Sequence, residues 1–171
     1  MPTFVTPKHL TTGVCEAAVK IALRAVMEEG SILHTVVKRH CCHIVVLVQG
    51  METEGRTYPD YPIHPVLMYE RSVGDKGTWT AKYDEIAQCK ALQLWHDRND
   101  DRTNIMPHLL FPGDTVYWGG VKRQGLVVTC SGVQPWFDKM ISGMIADLLI
   151  GLACNAWMTS EERRENSRFL S

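Results

Sequence analysis

A chain of 171 residues, 45% hydrophobic and 22% charged, has the length and composition of one globular domain with its own core and not of a disordered segment. A formal net charge of −1, a pI near 6.6 and no basic stripe argue against nucleic-acid binding. Met1 to His9 show no basic leader followed by an apolar block, so a signal peptide is not expected and a cytoplasmic setting is.

In chain order, Val14 to Glu29 reads as a first helix, with Thr12 as cap and Gly30 as stop. Val14, Ala18, Ile21, Ala22 and Ala25 fall on one face of it. Ile32 to Lys38 and His43 to Gln49 read as a strand pair joined by Arg39-His40-Cys41-Cys42. The next stretch is irregular and has the look of an insertion. Each proline between Tyr58 and Pro65 disfavours helix in the residue before it, which predicts extended backbone, and Val66 to Arg71 reads as another strand. Lys82 to Arg98 reads as a second helix, followed by the polar loop Asn99 to Asn104.

Trp118-Gly119-Gly120 opens the most distinctive run. A glycine pair permits backbone conformations and close approach that a Cβ forbids. Lys122-Arg123-Gln124-Gly125 reads as a hairpin turn with Gly where φ is positive, leading into an apolar strand, Leu126 to Cys130. Ser131-Gly132 breaks that strand, and a long helix begins near Gln134. Backbone N–H groups at such a junction form a polar cup suited to a carboxylate. Met140 to Met158 is apolar enough to raise a membrane span. Ser142, Asp147 and Asn155 favour instead a helix buried between protein layers or partly at a subunit contact, so no membrane partner is expected. The order of elements predicts an α+β fold, one antiparallel sheet sandwiched by helices. It forms a single domain over 1–171, with an inserted segment near 51–81 and a polar tail over 159–171.

Six cysteines lack the spacing of a disulfide scaffold, and most lie in apolar runs where a free thiol behaves as a small hydrophobe. His40-Cys41-Cys42-His43 is dense but does not have zinc-ligand spacing, so no metal is expected. Cys130, before Ser131-Gly132, is either a nucleophile at a helix start or a core residue. Lys90 shares a helical face with Tyr83, Ile86, Ala87 and Leu94, which sets an amine in an apolar stripe. It either serves a site or snorkels to the surface and pairs. Glu70, next to Tyr69 and near His64, could form a general acid/base set, and the alternation of a strand would point Glu70 and Arg71 to opposite faces. The alternative for Glu70-Arg71 is a solvated charge pair at a strand end. Trp79, Trp118 and Trp136 sit beside breaks, where aromatics either stack a flat ligand or close a core.

Three islands, Lys90-Ala91, Gly119-Gly120, and Cys130-Ser131-Gly132 with Asp138, resemble the pattern of the GlcG/PduO C-terminal-domain family. The resemblance spans most of residues 12–155. It departs where that family carries Asp-x-x-Gly between two strands and this chain has Arg39 to His43. It implies a profilin-like sandwich, a homo-oligomer and, in some members, heme. A second resemblance, in size and class, is to the hydroxylaminobenzoate lyase of nitroaromatic degradation. Two functions are therefore expected in competition. One is a cofactor-independent lyase that converts an aryl hydroxylamine bearing a carboxylate to a dihydroxy aromatic with release of ammonia. It would use Glu70, His64, Lys90 and Tyr69 for proton transfer. Arg71, Tyr83, Trp118, Gly119, Gly120, Ser131 and Gly132 would hold the small aromatic ligand. The other is a non-catalytic heme or small-ligand binder with His64 or His108 on iron.

Overall fold

The computed structural model describes residues 3–54, 62–101 and 105–171. Five strands, β1 (Phe4–Val5), β2 (Cys42–Glu52), β3 (Ile63–Val73), β4 (Gly120–Arg123) and β5 (Leu126–Ser131), form one antiparallel sheet. Among the described residues five α-helices complete the α+β fold: α1 (Thr12–Met27), α2 (Ile32–Val36), α3 (Tyr83–Trp95), α4 (Pro135–Met158) and α5 (Glu161–Arg164). Strand β2 is the spine. It pairs with β3 along Cys42–Met51 and with β5 along His43–Leu47, while β1 pairs at Met51 and Glu52. Every residue of β2 from Cys42 to Val48 is buried, because helices cover both faces.

Alternation along β2 divides the core. Ile44, Val46 and Val48 point to the face covered by α1 and α4, where Val19, Val26, Ile141, Ile145 and Leu149 meet them. Val45 and Leu47 point to the other face, against Ala87, Ala91 and Leu94 of α3. A register shift opposite Val46 and Leu47 places both Met68 and Tyr69 of β3 against the first core. The β4–β5 hairpin turns through Gln124 (φ 48°) and Gly125 (φ 83°), two positive φ values that match the twist of the flanking strands.

Several sequence expectations are corrected. Ile32 to Lys38 is not a strand: Ser31 accepts from the His34 N–H at 3.1 Å and starts the short helix α2, so a cap outweighs β-branched content. The partner of β2 is therefore β3, which comes from the stretch that had the look of an insertion. Residues 55–61, including Tyr58 and Tyr61, lie outside the described residues. Thr11, not Thr12, caps α1, accepting from the Val14 N–H. The buried face of α1 is Cys15, Ala18, Val19, Ala22, Leu23 and Val26, one position round from the face expected, which leaves Ile21 exposed. Helix α4 is long and apolar enough to cross a membrane by length and composition. It packs on the sheet through Ile141, Ile145, Ala146 and Leu149, and its Asp147 pairs with Arg123 at 2.7 Å.

Candidate functional site

Where β5 ends and α4 begins, the chain forms a cleft of about 240 Å³. Its floor is an ion pair. Lys90, in the apolar face of α3, is 1% exposed and Asp138, in the first turn of α4, is 4% exposed. The Lys90 Nζ donates to the Cys130 carbonyl at 3.0 Å and lies 3.4 Å from Asp138 Oδ2. The Val133 N–H donates to Asp138 Oδ1 at 3.0 Å. Burial raises the pKa of the Asp138 carboxyl above its ordinary value, outweighing the opposing pull of Lys90 and the Val133 N–H. The carboxyl is thus held closer to its protonated form than a surface aspartate, beside an ammonium that opens to the same cleft.

Gly119 makes this floor possible. Its φ is +116°, and a Cβ there would stand 2.8 Å from both Asp138 Cβ and the Pro135 carbonyl, and 3.4 Å from Lys90 Nζ. Gly120 is equally tight, but against Leu94 and Thr129, so it serves packing under α3 and not the cleft. Tyr83, Trp118, Ser131 and Gly132 line the walls with Tyr117 and Thr80. Of the residues selected from sequence, Lys90, Tyr83, Trp118, Ser131 and Gly132 thus meet around one space, with Gly119 packed beneath its floor.

The remaining candidates lie elsewhere. Glu70 sits opposite Val45, on the α3 face of β3, and Tyr69 sits opposite Val46, against the α1–α4 core. Period-two alternation therefore separates them. His64 lies at the far end of β3, 3.3 Å from Glu52 and edge-on to Phe4. No acid/base set of Glu70, His64 and Tyr69 exists. Glu70 instead lies 3.3 Å from His43 Nε2 and accepts from Gln88 at 3.1 Å, while His43 Nδ1 bonds the Ser72 hydroxyl at 2.9 Å. Trp79 packs beside both His43 and the cleft residue Tyr83, with ring centroids 6.4 and 5.2 Å away. Arg71 is exposed on β3 and takes no part in the cleft.

Of the N–H groups expected to form a cup after Ser131-Gly132, that of Val133 is taken by the protein's own Asp138 side chain. Cys130 is fully buried, and burial followed by a hydrogen bond with the free Cys42 thiol pushes its own thiol well above the usual range, which removes it as a nucleophile. Trp136 is largely exposed and packs on Phe137. Among the described residues lining the cleft there is no histidine, cysteine or methionine. His64 lies beside β1, and His108 lies in an exposed turn at Pro107–Leu109. The cleft thus offers no histidine, cysteine or methionine to a heme iron; its tyrosines are Tyr83, whose hydroxyl bonds Arg39 and Thr80, and Tyr117.

Two charged cleft residues, Asp138 and Arg39, are not among the site residues expected from sequence. Asp138 enters the sequence reading only as part of the third family-like island, and its proximity to Lys90, 48 positions away, has no local signature. Arg39 was read as part of a connection. It reaches the cleft because α2 replaces the expected strand and the chain returns across Val133. Comparison with protein-family models, curated proteins and solved structures returns no match.

Proposed function

We propose that the chain is a cofactor-independent enzyme acting on a single-ring aromatic carboxylate in this cleft, with the Lys90–Asp138 pair moving the proton. The observation that carries the reading is a sequestered ammonium–carboxyl pair opening into an aromatic-walled space. The volume is just below the several hundred Å³ of pockets for larger ligands, which suits one substituted ring. Tyr83, Tyr117 and Trp118 supply faces for it.

The reaction class is an aryl hydroxylamine lyase. The Lys90–Asp138 pair gives a proton to the hydroxyl oxygen of Ar–NHOH, the N–O bond breaks and water leaves. A second water adds to the electron-poor ring, and hydrolysis of the resulting imine with return of the proton releases ammonia. The net change is addition of one water and loss of one ammonia, with no external oxidant or reductant. General acid catalysis of this kind contributes about 10²- to 10⁴-fold.

The test is ammonia release from 4-hydroxylaminobenzoate by wild type, Lys90→Ala, Asp138→Asn and Glu70→Gln. Wild type is expected to release one ammonia per dihydroxy acid, the first two variants to lose about 100-fold or more, and Glu70→Gln to keep wild-type turnover. No ammonia from wild type would remove the reaction class, and full turnover by Asp138→Asn would remove the proton-transfer assignment.

A further inference from the structure

We infer that Arg39 is the residue that selects a carboxylate-bearing ligand in the cleft, taking the role that strand position denies to Arg71. The inference rests on the cleft being the ligand site. Charge is the first support. Lys90 and Asp138 pair with each other at the floor, so Arg39 is the one charged group on the lining without a carboxyl beside it, and it leaves the cleft net positive. An arginine beside a closed space ordinarily finds a carboxylate of its own protein. Among the described residues Arg39 has none, and its partners are neutral oxygens.

Geometry is the second. Arg39 Nε and Nη2 both donate to the Val133 carbonyl, at 3.2 and 2.6 Å, and Nη1 donates to the Tyr83 hydroxyl at 3.3 Å. Tyr83 is itself held by Thr80 at 2.8 Å. A guanidinium carries five N–H donors. These bonds use three, and one N–H remains on each terminal nitrogen, the fork that meets a carboxylate side by side. The bonds to Val133 and Tyr83 hold that fork still before a ligand arrives, which lowers the ordering cost of binding. Tyr83 and Val133 line the cleft as well, so fork, ring wall and proton-transfer floor share one space. A ring with its carboxylate on Arg39 turns its other end toward Lys90 and Asp138. The ligand class follows: a planar aromatic acid, in preference to its amide or its unsubstituted ring.

The experiment compares benzoate with benzamide by calorimetry, on wild type, Arg39→Ala and Arg39→Lys, with thermal melts to confirm that each variant is folded. Wild type should prefer benzoate. Arg39→Ala should weaken benzoate by about 10- to 100-fold, the range of a charge-assisted hydrogen-bonded contact, and leave benzamide within about twofold, a change of less than half of one such bond. Arg39→Lys should recover part of the loss, because a point charge replaces the charge but not the fork. Tyr83→Phe, which frees Nη1 without removing the cation, should weaken benzoate less than Arg39→Ala. Equal affinity of wild type for both probes, or equal losses of both in Arg39→Ala, would overturn the role of Arg39 and leave the cleft as ligand site. Failure of wild type to bind either probe would overturn the cleft reading itself.

Discussion

Gly119→Ala puts the floor of the cleft under direct test. At φ +116° any side chain is strained, at a cost of about 1–3 kcal/mol. The added methyl must also displace Asp138 Cβ and the Pro135 carbonyl, each 2.8 Å from where it would sit, and overpacking of that kind costs about 1–3 kcal/mol more. Because Pro135 and Asp138 belong to the first turn of α4, they cannot give way independently, and the expected total is about 2–6 kcal/mol. Gly30→Ala is the matched control: its φ is +88°, but nothing lies within 4 Å of the added carbon, so only the conformational cost of about 1–2 kcal/mol applies. Urea unfolding of both variants separates the two contributions, with the steric part read from their difference. Equal destabilisation at the two sites would refute the claim that Gly119 is required by contact with the ion pair and not by backbone conformation alone.

Removing the amine should show how firmly the buried pair is coupled. Lys90→Met leaves Asp138 buried without its cation and is expected to cost about 3–5 kcal/mol; the double variant Lys90→Met/Asp138→Asn should cost less than the single one, as measured in a double-mutant cycle. The same variant has a signed pH dependence. The folded-state pKa of Asp138 is raised, so between the ordinary carboxylate range and that raised value the folded protein binds the extra proton, and stability falls as pH rises through the window. Loss of Lys90 extends the window upward, and melting of Lys90→Met should therefore gain relative to wild type on going from about pH 7 to pH 5. Glu162 carries the opposite sign: its hydrogen bond from Lys8 lowers its carboxyl to about 2, so its contribution is present above the ordinary value of 4.5 and is lost as pH falls toward 2. Protease sensitivity of the C-terminal segment should rise in that interval and not above it. Thiol labelling of the native protein at pH 8 should reach exposed Cys154 and spare Cys15, whose thiol burial pushes up to about 11; prompt labelling of Cys15 would contradict its burial.

The elements legible in the sequence were those with a local cause. The β4–β5 hairpin follows from Gln124-Gly125, whose positive φ values need no distant partner. The face of α3 that carries Lys90 follows from a 3.6-residue period, which stays the same whatever packs against it. The strand around Val66–Arg71 followed from composition, but its place in the sheet did not, since several apolar segments could have paired with β2 and only the assembled core selects β3. Ile32–Val36 misled because β-branched content is a weak preference that one serine cap overrides. The candidate site divides in the same way. Lys90, Tyr83, Trp118 and the glycines stood out because their residue types are unusual in their local setting. Glu70 and His64 stood out equally, and nothing in sequence distinguishes them from the first group.

By itself, then, the amino-acid order determined an α+β domain, its hairpin, its three long helices and an amine in an apolar stripe, because each depends on neighbours a few residues away. Tertiary structure alone decided that the amine meets Asp138, that Arg39 joins Tyr83 at the cleft, and that Glu70 turns toward His43. Those juxtapositions close loops of tens of residues, and they are set by which faces the sheet can bury at once, a condition that no single segment records.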